Sequence, residues 1–199
     1  MVQQGGKGRA MKTIALLGPQ GSGKSSLAEL LIEHRGYRRH AIADGIRQVV
    51  GLAYREVGKA EELTLDRYSG RATLTGRELL QDVGAALREV DTRFWLRVWR
   101  RGYFDLVKAG IPVVVDDIRL PGEVDYLRSI ENELLVARIH AEPDVRRERL
   151  GGALVSAHDV TERAWVGAGF DISIDTTSLS IEDAYRQLVE AADGEAHNV

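Results

Sequence analysis

Eight consecutive residues, Gly18-Pro19-Gln20-Gly21-Ser22-Gly23-Lys24-Ser25, follow the spacing G-x-x-x-x-G-K-[ST]. Glycines at these positions let a loop wrap its backbone N–H groups around phosphate oxygens, an approach that side chains would block. Lys24 is suited to the β- and γ-phosphates of a nucleotide and the Ser25 hydroxyl to Mg²⁺, and Ser26 is grouped with them as a nucleotide-binding candidate. The loop needs a strand before it and a helix after it, because the positive end of a helix dipole favours the anion. Both are legible. Thr13 to Leu17 is a short apolar run, and from Ser25 to His34 apolar residues recur at Leu27, Leu30 and Leu31.

A second group is Asp116-Asp117, at the end of the β-branched run Ile111 to Val115. A carboxylate at the end of a strand beside a phosphate loop is where Mg²⁺ or its waters are held. Either Asp could serve, and both could instead cap the turn before Pro121. Arginines form a third group: Arg47, Arg77, Arg88 and Arg119 are suited to bidentate grip on a substrate phosphate. Arg146 and Arg149 are three apart in the basic run Arg146-Arg147-Glu148-Arg149 and share a helical face, from which they could close over a transferring phosphoryl group. The competing reading of each arginine is a solvated surface charge.

Strands and helices alternate around these groups. Leu134 to Ile139 and Phe170 to Asp175 read as further strands, and Ser180 with Asp183 opens a last helix. Short strands between helices predict a three-layer α/β fold with a parallel sheet. The middle of the chain differs. Asp44 to Tyr54, Thr75 to Glu89 and Phe94 to Lys108 read as helices, the second opened by the capping box Thr75-Gly76-Arg77-Glu78. A helical insert over about 44–109 thus separates the loop unit from the next strand. Residues 1–10 read as a mobile tail, 11–193 as one domain with a lid over about 143–166, and 194–199 as a C-terminal tail.

Composition excludes several functions. The 199 residues carry a net charge of −3, so no global basic field points to nucleic acid or anionic membrane. There is no cysteine, which removes disulfides, thiolate metal sites and thiol catalysis and fits a reducing compartment, here the cytoplasm. No apolar run approaches the ~20 residues of a membrane span. The five histidines show no metal-ligand spacing. The expected partners are small molecules.

The order of motifs GPQGSGKSS, ADGIRQVV, TGRELLQDVGAALREVDTRFW, VVVDDIRLPGEVDYLRSI and HDVTE resembles the bacteriophage-type deoxynucleoside monophosphate kinases of the P-loop superfamily, over roughly Lys12 to Glu190. The resemblance implies a P-loop kinase fold with a helical acceptor-binding insert and a short lid, using ATP and Mg²⁺ on a nucleoside monophosphate. It implies that Gly18 to Ser25 hold ATP and that Asp117 and Arg119 form a D-x-R signature with Arg119 facing the monophosphate. Arg47, Arg77 and Gln81 line the acceptor pocket, with Asp44 and Arg88 on the same helices, and Arg146 and Arg149 belong to the lid. The three Trp read as core residues, with Trp95 and Trp99 on the apolar side of their helix, and Trp95 is also a candidate for stacking on a base. The chain departs from the pattern at Leu120, where an aromatic is usual, at Gly122, where Asn is usual, and mildly at Thr161, where Ser is usual. These departures leave the acceptor open, with another small phosphorylated acceptor such as phosphomevalonate, or a nucleotide-dependent switch, as alternatives. Homodimer formation stays open as well.

Overall fold

Four short stretches rich in β-branched and aliphatic residues and one two-residue edge strand, Arg38-Arg39, pair into one sheet. In this computed structural model, residues 12–152 and 167–194 are described. The strands are β1 (Thr13–Leu17), β2 (Arg38–Arg39), β5 (Val113–Ile118), β6 (Leu134–His140) and β7 (Ile172–Asp175). Their order is β2-β5-β1-β6-β7, and each pairing is parallel. A parallel strand must be reached by a crossover, and its hand is nearly always right. The chain crosses from β1 to β2 by α1 (Lys24–Arg35) and from β5 to β6 by α5 (Pro121–Ile130). These two crossings run in opposite directions along the sheet, so right-handedness sends the two helices to opposite faces.

Both faces are dry, as a parallel sheet requires. One core gathers Ile14, Leu16, Val114, Ala137, Ile139 and Ile174 with Leu27 and Leu31 of α1 and Ala184 and Leu188 of α7 (Ile181–Asp193). The alternate positions Ala15, Leu17, Val113, Val115 and Val136 are buried too, as are Val124 and Leu127 of α5, which lies against β6. The predicted three-layer α/β arrangement with a parallel sheet is thus present. Arg35 on α1 holds Asp193 on α7 by two hydrogen bonds of 3.1 and 2.6 Å, a bidentate clasp that raises the Arg35 pKa. The phenol of Tyr37 donates to the Lys12 carbonyl at 3.0 Å, and burial pushes its pKa up to about 12.

The chain forms two compact units, one of 1–39 with 109–199 and one of 40–108. The second unit contains α2 (Ala43–Tyr54), α3 (Gly76–Val90) and α4 (Phe94–Lys108), within one residue of their expected ends. The expected helical insert also contains a hairpin that the sequence reading left out, of β3 (Glu62–Arg67) and β4 (Gly70–Thr75), paired antiparallel from Glu62↔Thr75 to Arg67↔Gly70. Alternation made it legible: Leu63 and Leu65 of β3 and Ala72 and Leu74 of β4 share a face, with a two-residue turn at Tyr68-Ser69. That face packs with Val50 and Leu79.

Gly45 and Gly102 explain how α4 packs. A Cβ at Gly45 would lie 2.9 Å from Val98 Cγ1, so glycine allows α2 to sit close to α4. A Cβ at Gly102 would meet the His40 ring at 2.9 Å. That ring stacks on Trp99 and shares a reciprocal pair of 2.8 Å bonds with it, His40 Nε2 with the Trp99 carbonyl and Trp99 Nε1–H with the His40 carbonyl. Glycine therefore weakens α4 locally and admits the ring that anchors it.

Among the described residues, no helix is long and apolar enough to cross a membrane. The tails at 1–10 and 195–199, the part of the expected lid at 153–166, and the HDVTE segment with Thr161 lie outside the described residues.

The capping box at α3 is formed as read: the Glu78 N–H donates to Thr75 Oγ1 at 3.3 Å and the Thr75 N–H donates to Glu78 Oε2 at 2.7 Å. Thr75→Ala is expected to destabilise the protein by ~1 kcal/mol, measured as a lower urea midpoint with unchanged slope.

Candidate active site

Gly18 ends β1 between two neighbouring strands, and the space there is minimal. A Cβ on Gly18 would fall 1.9 Å from the Ile139 carbonyl oxygen of β6, and its φ is +140°. Gly21 and Gly23 are also left-handed, with φ of +76° and +96°. Glycine adopts these angles without the steric cost other residues incur. Gly23 then serves as the N-cap of α1 and supplies no side-chain cap, leaving the first-turn amides of the helix to other acceptors.

Each carbonyl from Gly18 to Gly23 accepts a hydrogen bond. Lys24 Nζ donates to Gly18 O at 2.8 Å and to Pro19 O at 2.7 Å. Arg146 Nη1 donates to Gln20 O at 3.2 Å, Arg149 Nη1 to Gly21 O at 3.3 Å, and the Thr176 hydroxyl to Ser22 O at 2.9 Å. The Leu27 N–H donates to Gly23 O at 3.0 Å, the first bond of the helix. Arg146 and Arg149 lie on α6 (Pro143–Arg149), on one face as their spacing required. The helix seats on Gly21, where an added Cβ would meet Arg146 Cβ and Leu150 Cδ1 at 3.1 Å. The expectation of arginines poised over a phosphoryl group is refined here: both guanidiniums are engaged with loop carbonyls.

Ser22 is fully buried, and among the described residues its hydroxyl has no hydrogen-bond partner. An orphaned buried hydroxyl inside a glycine cradle suits a polar ligand, and the cradle fits a phosphate chain. Ser25 and Ser26 are exposed on the first turn of α1.

β5 supplies the acidic pair. The pairing with β1 runs Ala15↔Val115 and then Leu17↔Ile118, so β5 holds one extra residue opposite Leu16. That bulge breaks the simple two-face alternation at Asp116-Asp117. Asp116 is buried, with its Oδ1 2.8 Å from Arg39 Nε of β2. The contact is a charge pairing without good hydrogen-bond alignment at that oxygen. Asp117 is half-buried at the same strand end. Among the described residues no cluster of three or more His, Asp or Glu could cage a metal ion. One hydroxyl and one carboxylate, Ser25 and Asp117, nonetheless fit Mg²⁺, which keeps waters and phosphate oxygens as its other ligands.

Beyond β5 the chain turns into α5, with Pro121 at the first helical position. The buried Glu123 carboxylate accepts from the Arg119 N–H at 2.8 Å and from the Leu120 N–H at 3.0 Å. Glu123 thus fixes the turn that carries Arg119, and the Arg119 residue itself is exposed.

In the 40–108 unit, Asp44 accepts from the Ala41 N–H at 3.0 Å and pairs with Arg47 at 2.8 Å, so part of its role is to start α2. Arg77, Gln81 and Arg88 recur at helical spacing and form one stripe along α3. The proposal that Trp95 stacks on a base is corrected. Trp95 is 2% exposed, and its indole N–H donates to Gly84 O at 3.0 Å, so the ring fills the core of its unit.

Sequence reasoning missed Arg39 and Thr176. Glu123 stands three residues after the N-cap Leu120, the capping spacing. Thr176 follows an alternating strand in Asp-Thr-Thr, and nothing local marks it as a neighbour of a loop about 150 residues earlier in the chain, which is sheet topology alone.

No family model and no curated protein matches this chain. Solved structures do. A shikimate kinase from Bacteroides thetaiotaomicron superposes with a TM-score of 0.55 at 13% identity, covering 92% of this chain and 99% of that one. A sugar kinase from Janibacter sp. gives 0.54 at 13%, covering 92% and 95%. The APS kinase of Mycobacterium tuberculosis, in complex with AMPPNP and APS, gives 0.53 at 15%, covering 94% and 99%. At such identities the likeness is one of fold, and the fold is that of P-loop kinases.

The two aspartates are expected to separate by assay. Asp116→Asn should lower the urea midpoint more than Asp117→Asn, with a loss of unfolding free energy smaller than the ~3–5 kcal/mol of a fully buried pair, because water reaches Arg39. Asp117→Asn should raise the Mg²⁺ concentration for half-maximal activity more than Asp116→Asn. The reverse order in magnesium titrations moves the metal role to Asp116.

Proposed function

We propose that this protein transfers the γ-phosphoryl group of ATP to a (deoxy)nucleoside monophosphate, giving ADP and the diphosphate. The observation that carries the reading is the loop at 18–25: three left-handed glycines, satisfied carbonyls and a lysine at hand, on a P-loop kinase fold. In this reading Lys24 exchanges the Gly18 and Pro19 carbonyls for phosphate oxygens. Ser25 and Asp117 would hold Mg²⁺, which would supply neutralisation of the phosphate charge. No protein nucleophile is required; alignment of the two phosphates and stabilisation of developing charge do the work. Arg146 and Arg149 sit against the loop and can add charge there. Arg119 grips the acceptor phosphate, and Arg47, Arg77, Gln81 and Arg88 are assigned to acceptor binding.

A second reading keeps the donor and changes the acceptor. The solved kinases of this fold named above include one for shikimate and one bound to APS, so the fold accommodates acceptors that are not nucleoside monophosphates. Trp95 is buried in the core of its unit, so the one base-stacking residue that the sequence suggested does not support the first reading over the second. A coupled assay of ADP formation over a panel of nucleoside monophosphates and other small phosphorylated acceptors tests both. Stimulation by one or more monophosphates supports the first reading, and stimulation only by other acceptors replaces it. A slow ATPase that no acceptor stimulates would indicate a switch.

Two substitutions sharpen the test. Lys24→Ala is expected to fold and to lose on the order of 10²–10³ in rate, measured as kcat with saturating ATP. A variant that keeps over half the wild-type kcat, an order-of-magnitude criterion, would contradict the loop's role. Arg119→Ala is expected to raise the acceptor KM roughly ten- to a hundred-fold while ATP affinity stays within a few-fold. Unchanged acceptor KM and kcat, with a small fall in Tm, would reduce Arg119 to a helix-turn residue.

A further inference from the structure

Thr176 sits just beyond β7 and is 2% exposed. Three groups converge on its hydroxyl: Ser22 O at 2.9 Å, His140 O at 3.2 Å and Arg149 Nη1 at 3.0 Å. Arg149 has only protons to give, so the hydroxyl accepts from it and has one proton left for a carbonyl. Ser22 O is the nearer of the two. His140 O already receives the Thr176 N–H at 2.8 Å, so the hydroxyl proton falls to Ser22. Arg149 also donates to the Thr176 carbonyl at 2.6 Å, which holds the guanidinium in place. The result is a directed chain, from Arg149 to Thr176 to Ser22, in which the charged donor polarises the hydroxyl and strengthens its bond to the loop.

A trans peptide is planar, with its C=O and N–H pointing opposite ways. Holding the Ser22 carbonyl on the Thr176 side therefore aims the Gly23 N–H to the other side. The same holds for Gln20 with the Gly21 N–H and for Gly21 with the Ser22 N–H, whose carbonyls Arg146 and Arg149 hold. Three consecutive amides are thus directed together from outside the loop.

We propose that Thr176 is a positioning residue for the phosphate loop: through the Arg149–Thr176–Ser22 chain it sets the direction of the amides that meet the nucleotide's phosphates. The proposal rests on the nucleotide-binding reading above and adds a residue to it. Thr176 touches no reacting atom; it acts through the Ser22–Gly23 peptide.

The test is calorimetric ADP binding to the full-length chain, with steady-state kinetics and Tm alongside. Thr176→Val keeps the volume and removes the hydroxyl. Its ADP Kd and ATP KM should rise about tenfold, with the acceptor KM within about twofold, as expected for a buried carbonyl left unpaired. Thr176→Ser restores the hydroxyl and should bring ADP affinity back to within about twofold of wild type. If Thr176→Val does not fold, Thr176→Ala is read in its place. An ADP Kd unchanged in the folded variant, with only Tm lowered, overturns the proposal, as does failure of both Val and Ala variants to fold. A wild-type protein that binds no ADP fails the functional reading itself, whereas normal wild-type binding with an indifferent Thr176→Val fails this inference alone.

Discussion

A loop that turns its amides towards an anion has to place its carbonyls somewhere else. That constraint organises the larger unit. Six consecutive carbonyls, Gly18 to Gly23, are satisfied by Lys24 and Leu27 of α1, by Arg146 and Arg149 of α6, and by Thr176 after β7. Those donors come from widely separated parts of the chain. They meet because β6 and β7 lie on one side of β1 and because Gly18 can approach the Ile139 carbonyl without a Cβ. An unpaired buried carbonyl costs free energy comparable to a lost hydrogen bond, so the sheet order and the loop shape support one another.

The other side of β1 follows a different logic. β5 carries two aspartates at its carboxyl end, and a bulge places them opposite a single residue of β1. One carboxylate is committed to Arg39 of the edge strand; the other is left half-buried at the strand end. A buried charge without a partner is too costly to keep, so pairing Asp116 is what allows two acidic residues to stand together there. Glu123 completes this edge by turning its carboxylate back on the Arg119 and Leu120 amides, which orients the start of α5.

The 40–108 unit is held by ordinary core physics. Trp95, Trp99 and Tyr103 fill it, and each indole N–H has a carbonyl partner, Gly84 for Trp95 and His40 for Trp99. The two glycines that look like helix weaknesses are contact points, Gly45 under Val98 and Gly102 under the His40 ring. The hairpin of β3 and β4 packs its apolar face at Leu63, Leu65 and Leu74 with Val50 and Leu79.

The sequence by itself determined whatever depends on neighbours along the chain. The phosphate loop, the helices after it, the Thr75–Glu78 box and the shared face of Arg146 and Arg149 all rest on spacings of a few residues. Local steric and hydrogen-bonding rules act at that range. The β3–β4 hairpin carries a signal of the same range, the alternation of Leu63 and Leu65 against Ala72 and Leu74, but the helical reading of the insert passed over it. Only the tertiary structure decided that Arg146 and Arg149 hold loop carbonyls, that Asp116 pairs with Arg39, that Thr176 reaches Ser22, and that Trp95 takes its core reading over its stacking one. Each of these joins residues brought together by strand order and helix packing. A side chain's partner there is set by which strands lie side by side and by the burial they enforce, and no local pattern of residue types encodes that.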